Sequence, residues 1–206
     1  MKVLYAVLLC LCTLVQPCIS QDLVFPPELI WWLFEVKKVN TDINIDDFYK
    51  DHERSIAYLE SKKTPSPKYP VFQKWNYYGD RFAYYDILDN LSRMVNGKYY
   101  ISSDIDSAFA VFSRNLELLF IDYFGPSEGI NGFQWINDNE IVTVGLEISE
   151  DDNNNSIVSL VIRVYKLEKD EVKVLVYYYR NAFPNEEREK LLLNWWEQRS
   201  DYFEHP

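Results

Sequence analysis

Between Lys98 and Arg180 apolar residues recur at every second position, in seven short stretches separated by turn-forming residues. They are KYYIS, SAFAVFS, LELLFIDYF, FQWI, EIVTVGLEI, SIVSLVIRVYKL and EVKVLVYYYR. A period of two sends alternate side chains to opposite faces of a strand, and short turns between successive strands favour antiparallel pairing. The segment therefore predicts an antiparallel β-meander of about seven strands over residues 98–180. In SIVSLVIRVYKL the set Val158, Leu160, Ile162 and Val164 alternates with Ser159, Arg163 and Tyr165, and in EVKVLVYYYR the expected inward set is Val172, Val174, Val176 and Tyr178. A turn at Glu168 to Glu171 joins the two as a hairpin with one buried face.

The flanks read as helical. Pro26 and Pro27 precede ELIWWLFEVKKV, and proline suits a first helical turn, which predicts a helix over about Pro27 to Val39. Ile45, Phe48, His52, Ile56 and Leu59 share a stripe at helical spacing, predicting a second helix over about Asp46 to Lys62. It ends at TPSPKYP, where three prolines forbid further helix. Tyr84, Leu88, Leu91 and Val95 predict a third helix over about Asp80 to Val95, with Asn96-Gly97 at its end. After Arg180, Asn185 is a candidate cap for an amphipathic helix over 185–203, whose stripe of Leu192, Trp195, Trp196, Arg199 and Phe203 would cover the meander. The expected class is α+β: a sheet over 97–180, helices over 26–96, and one C-terminal helix.

The first twenty residues combine Lys2, an apolar run from Val3 to Val15, and small residues at Cys18 and Ser20, the pattern of a secretory signal peptide cleaved after Ser20. That run is too short for a stable span. All three cysteines lie in this leader, so the expected mature domain, 21–206, has no thiol for disulfides, thiolate metal sites or nucleophilic catalysis. A lipid anchor on Cys18 would need a small residue just before it, and Gln16 and Pro17 stand there instead. The expected location is secreted, periplasmic or extracellular. A net charge of −11 repels phosphate backbones and anionic headgroups, which disfavours nucleic acid as a partner.

Two stretches approach known chemistry. In TDINIDDFYKDHE, Asp42, Asn44, Asp46 and Glu53 match the ligand spacing of a helix-flanked calcium loop, with Phe48 in the position that supplies a carbonyl. The sixth position calls for a glycine at positive φ and holds Asp47, and no second loop is present to pair with it. The same residues read more economically as the polar entrance to the second helix, with Asp46 as its cap, so no cofactor is expected and calcium is the one candidate. The second stretch, GPSEG (Gly125 to Gly129), fits the nucleophile-elbow pattern, but a strand and not a helix is expected after it, so Ser127 reads as part of a turn. EDDNNNS, with Asp151, Asn153 and Asn155, reads as a solvated hairpin tip. With only His52 and His205, a histidine metal centre is not expected.

Aromatic residues make up 17% of the chain. Most fill a core that has no disulfides, but Trp75, Tyr77 and Tyr78 follow a proline-rich segment and precede Gly79, which places them on a loop. Export, absence of thiols and surplus loop aromatics together point to a non-enzymatic module binding a protein, peptide or glycan through Trp75, Tyr77 and Tyr78. The contrasting expectation is an extracellular hydrolase using two carboxylates, with calcium as a structural aid.

Overall fold

A computed structural model describes residues 23–60, 73–87, 93–95, 98–100, 107–151, 153–188 and 203–204. The strands are β1 (Tyr49–Ala57), β2 (Gln73–Trp75), β3 (Arg81–Ile87), β4 (Arg93–Val95), β5 (Lys98–Tyr100), β6 (Ser107–Ser113), β7 (Leu118–Phe124), β8 (Glu128–Asn137), β9 (Glu140–Glu150), β10 (Ser156–Leu167), β11 (Glu171–Pro184) and β12 (Phe203–Glu204). They form a five-stranded sheet of order β1-β11-β10-β9-β8, a four-stranded sheet β2-β3-β6-β7, and a small sheet β12-β5-β4. All pairings are antiparallel except β12 with β5. Among the described residues the architecture is mostly antiparallel β with one short helix, α1 (Ile30–Val39), entered through a 3-10 turn at Pro27–Leu29.

The large sheets lie face to face. Tyr85, Phe109, Val111, Phe120 and Phe124 of the four-stranded sheet meet Phe133, Trp135, Tyr165, Val174 and Val176 of the five-stranded one. The opposite face of the five-stranded sheet is covered by α1 and the 3-10 turn before it, which lay Leu29, Trp32, Leu33 and Val36 onto Val144, Leu160, Ile162 and Tyr177. Each such side chain taken from water contributes roughly 1.5–3 kcal/mol before the entropy of ordering is subtracted. The sheets also meet at both edges. On one side Leu59 N–H donates to Leu119 O (2.9 Å), and on the other Trp135 Nε1 donates to Lys74 O (2.8 Å).

The strand-rich middle follows the sequence pattern closely, with β6 and β10 at the expected limits and β11 starting at Glu171. Its burial does not. The expected single buried face is replaced by two, because the five-stranded sheet is the middle layer. In the β10–β11 register Val164 opposes Leu175 and Ile162 opposes Tyr177 on the α1 side, while Val161 opposes Tyr178 and Tyr165 opposes Val174 on the other. The even-numbered residues of the two strands thus face opposite layers, and Arg163, expected outside, is buried. One continuous meander is likewise replaced by two sheets, since β6 pairs with β3, and β7 pairs with β6 and not with β8.

The helix expected over Asp46 to Lys62 is a strand. A 3-10 turn at Ile45–Asp47 leads into β1, which pairs with β11 from Tyr49↔Tyr178 to Ala57↔Glu171. Phe48, one of the five stripe residues, is buried against Trp32 and Tyr179, whereas His52 is exposed beside Asp51, so the stripe does not mark one face. Unpaired strand ladder on β11 outweighs a weak helical pattern. Where the helix expected over Asp80 to Val95 is described it is replaced by β3 and β4, since Phe82 and Tyr84 point to one face and Ala83 and Tyr85 to the other; Leu88 and Leu91 lie outside the described residues. Asn185 lies inside a 3-10 turn entered from Pro184 and caps nothing, and Phe203 belongs to β12. The remainder of the expected C-terminal helix, Asn96-Gly97 and the leader lie outside the described residues. No described helix is long and apolar enough to cross a membrane.

Candidate functional site

The sequence WNYYGD becomes the tip of the β2–β3 hairpin. Its anchor is Asn76, buried, whose Oδ1 accepts the N–H groups of Asp80 (3.1 Å) and Arg81 (3.2 Å) while its Nδ2 donates to Asp80 Oδ1 (2.6 Å). Gly79 closes the turn at φ +68°, a region a Cβ would strain, and its N–H donates to Asn76 O. Between these supports Tyr77 and Tyr78 stand 89% and 76% exposed, their rings edge to face at 5.9 Å. Tyr78 N–H donates to Asp138 Oδ1 (3.1 Å) in the β8–β9 turn, which ties the tip to the neighbouring sheet. Trp75, 48% exposed, packs at 4.8 Å on Phe82. The turn is rigid and the rings project from it.

The end of β1 and four hairpin turns converge at this end of the molecule around a cavity of about 520 Å³. Asp80 and Arg81 come from the aromatic hairpin, Ser113 from the end of β6, Asn139 from the β8–β9 turn, and Glu168 and Lys169 from the β10–β11 turn. Its polar walls are braced. Arg81 Nη1 donates to Asn139 Oδ1 (3.1 Å), and Tyr58 Oη donates to Glu168 O (2.7 Å). Burial pushes the Tyr58 hydroxyl above the ordinary tyrosine range.

A second polar group lies between the sheets at the far end of β8. Asp122 accepts from Arg54 Nη2 (2.5 Å) and from the buried Tyr165 hydroxyl (2.7 Å). Arg163 donates through Nη2 to Glu128 (2.6 Å) and lies 4.8 Å above the Phe124 ring. Glu128 stands directly across β8–β9 from Glu147, which accepts from Tyr178 Oη. Burial pushes the Glu128 carboxyl above the usual range and Arg163 partly offsets this. β8 runs ten residues from Glu128 to Asn137, so the backbone at Glu128 and Glu147 lies roughly 30 Å from the β8–β9 turn, whereas Asp122 is three residues, roughly 10 Å, along β7 from Leu119 of the cavity wall.

The structure brings Trp75, Tyr77 and Tyr78 together on one hairpin. It does not gather the calcium candidates. Asn44 accepts from Lys37 Nζ (2.9 Å), Asp46 sits in the 3-10 turn, and Glu53 faces Lys50 (2.9 Å) from a strand where the motif needs a helix. No group of three or more His, Cys, Asp or Glu side chains able to hold a metal occurs among the described residues, so Asp42, Asp46 and Glu53 do not converge. Ser127 lies in a β7–β8 turn followed by a strand, as its context indicated. Asp151 is the hub of the β9–β10 tip, accepting from Asn153 and Asn155, and these hydrogen bonds hold its carboxyl below the usual range. Sequence reasoning missed the cavity walls, which come from five separate segments, and it missed Arg163 and Asp122. The available signal for these two was a charge inside an otherwise apolar strand. No family model, curated protein or solved structure matches the chain.

Proposed function

We propose that this chain is an exported, non-enzymatic recognition module that holds a protein, peptide or glycan through the Trp75, Tyr77 and Tyr78 hairpin. The observation that carries the reading is the near-complete exposure of two adjacent tyrosines on a turn already immobilised by Asn76 and Asp138. Exposed aromatics cost solvation and are stable only singly or as contact sites, and a rigid ring loses little entropy on binding. Covering such rings removes about 150–250 Å² each from water. Screening a displayed peptide library and a printed glycan array with the native chain and with Tyr77→Ala/Tyr78→Ala tests this. Retained ligands lost with the double variant support it, and ligands held equally by both defeat it.

One observation favours the alternative of a carboxylate-dependent hydrolase: Glu128, its pKa raised by burial, faces Glu147 across two strands. Against it, both carboxylates are engaged by internal donors, Arg163 and Tyr178, and the described cavity is at the other end. Turnover of any polysaccharide or peptide that vanishes in Glu128→Gln, with folding intact, would favour the hydrolase.

A further inference from the structure

Resting on the recognition-module reading, we infer that the ligand is a neutral oligosaccharide, stacked on Tyr77 and Tyr78 with its hydroxyl groups reaching the cavity beside Asp80 and Arg81. The cavity volume, about 520 Å³, lies within the range of small-ligand sites. Asp80 and Arg81 belong both to the aromatic turn and to the cavity wall, so the tyrosines stand within four residues of that wall along the chain.

The wall chemistry selects the class. Asp80 and Glu168 are balanced by Arg81 and Lys169, which makes the cavity neither an anion nor a cation site. Amide, carboxylate, guanidinium and hydroxyl groups alternate as donors and acceptors, and a sugar hydroxyl does both at once. Among the described residues Leu119 and Leu167 are the only aliphatic walls, too little to seat the apolar anchors by which peptides dock. The ring faces of tyrosine carry negative charge density, to which the C–H face of a pyranose is complementary. The chain's net charge of −11 opposes sulfated or uronic-acid polymers. The bracing of Arg81 by Asn139 and of Tyr58 by Glu168 leaves the wall set before the ligand arrives.

The test is isothermal titration of the purified chain with cello-, chito-, malto- and mannotetraose, with a heparin tetrasaccharide as the anionic control. The expected result is saturable binding of at least one neutral tetrasaccharide with Kd below about 1 mM. Asn139→Asp, which keeps the acceptor for Arg81 but removes the amide donors, and Glu168→Gln should each weaken it about tenfold, and Tyr78→Ala should abolish it; melting curves confirm that each variant folds. Preference for heparin overturns the inference. So does neutral-sugar binding that is indifferent to the cavity variants, and so does an absence of sugar binding. If in that last case display peptides still require Tyr77 and Tyr78, the hairpin remains a recognition site for another class; if they do not, the recognition reading falls as well.

Discussion

Replacing Glu128 by Gln removes the ionic partner of Arg163, whose side chain is only 4% exposed. Nη1 of Arg163 is already without a hydrogen-bond partner, so the variant leaves a buried guanidinium without its ion-pair partner. Breaking a buried pair from one side costs about 3–5 kcal/mol. Glu128 itself is a third exposed, which places this pair near the lower limit, about 3 kcal/mol. For a chain of this size that is a fall in melting midpoint of about 6–12 °C. Arg163→Met keeps the contact with Phe124 through a thioether while leaving Glu128 without its cation. Removing both charges at once, in Glu128→Gln/Arg163→Met, should restore stability to within about 1 kcal/mol of the native chain, because the desolvation cost disappears with the attraction. The assay is urea unfolding of all four proteins at pH 7, read as a double-mutant cycle with a coupling of at least about 2 kcal/mol. A double variant as unstable as the two single changes combined would refute the reasoning. The single variants also differ in pH response. In Arg163→Met the Glu128 carboxyl, already raised by burial, rises further, so the folded state binds the proton before the unfolded chain does. Its contribution to stability is present below the unfolded pKa and is lost as pH climbs through the folded value, so this variant should gain midpoint relative to the native chain between pH 7 and pH 5.

A Cβ on Gly145 would lie 2.0 Å from the carbonyl oxygen of Gly129 on the paired strand, so Gly145→Ala must part β8 from β9 and should cost about 3 kcal/mol or more in urea unfolding. Gly125→Ala, with nothing within 4 Å, should change stability by less than about 0.5 kcal/mol, and equal effects would remove the steric argument. Asn76→Ala deletes three side-chain hydrogen bonds at a buried position, and should lower stability by about 2 kcal/mol while raising amide exchange across residues 77–80; unchanged exchange there would show that the tip does not depend on it. Calcium against chelator should leave the melting midpoint unmoved, since Asp42, Asp46 and Glu53 are dispersed. Occupancy at 100 times Kd would stabilise by about 2.7 kcal/mol, and a shift of that size would reinstate the calcium loop.

The strands from Ser107 onward were legible because their limits are set by local residues. Asp138 and Asn139 turn β8 into β9, and Glu168 to Asp170 turn β10 into β11. The exposed aromatic tip was legible for the same reason, since Asn76 and Gly79 build the turn within six residues. The two mistaken helices share a cause. β1 is exposed at most positions and β3 is buried at four successive positions from Phe82 to Tyr85, so neither shows the alternation that identifies a strand with one wet face. A few apolar residues at spacings of three and four were then enough to imitate a helix.

The amino-acid sequence by itself determined where backbone direction reverses, which segments alternate, and that tyrosines would crown a tight turn, because each depends on residues within a few positions of one another. The tertiary structure decided which face of each strand is wet and what β1 becomes. Tyr49 finds its partner in Tyr178, far along the chain, and the five-stranded sheet is clothed on both sides by α1 and a second sheet. It also decided that the turns following β2, β6, β8 and β10 surround one cavity, since the position of each tip is fixed by sheet pairing and by the packing of one sheet on the other.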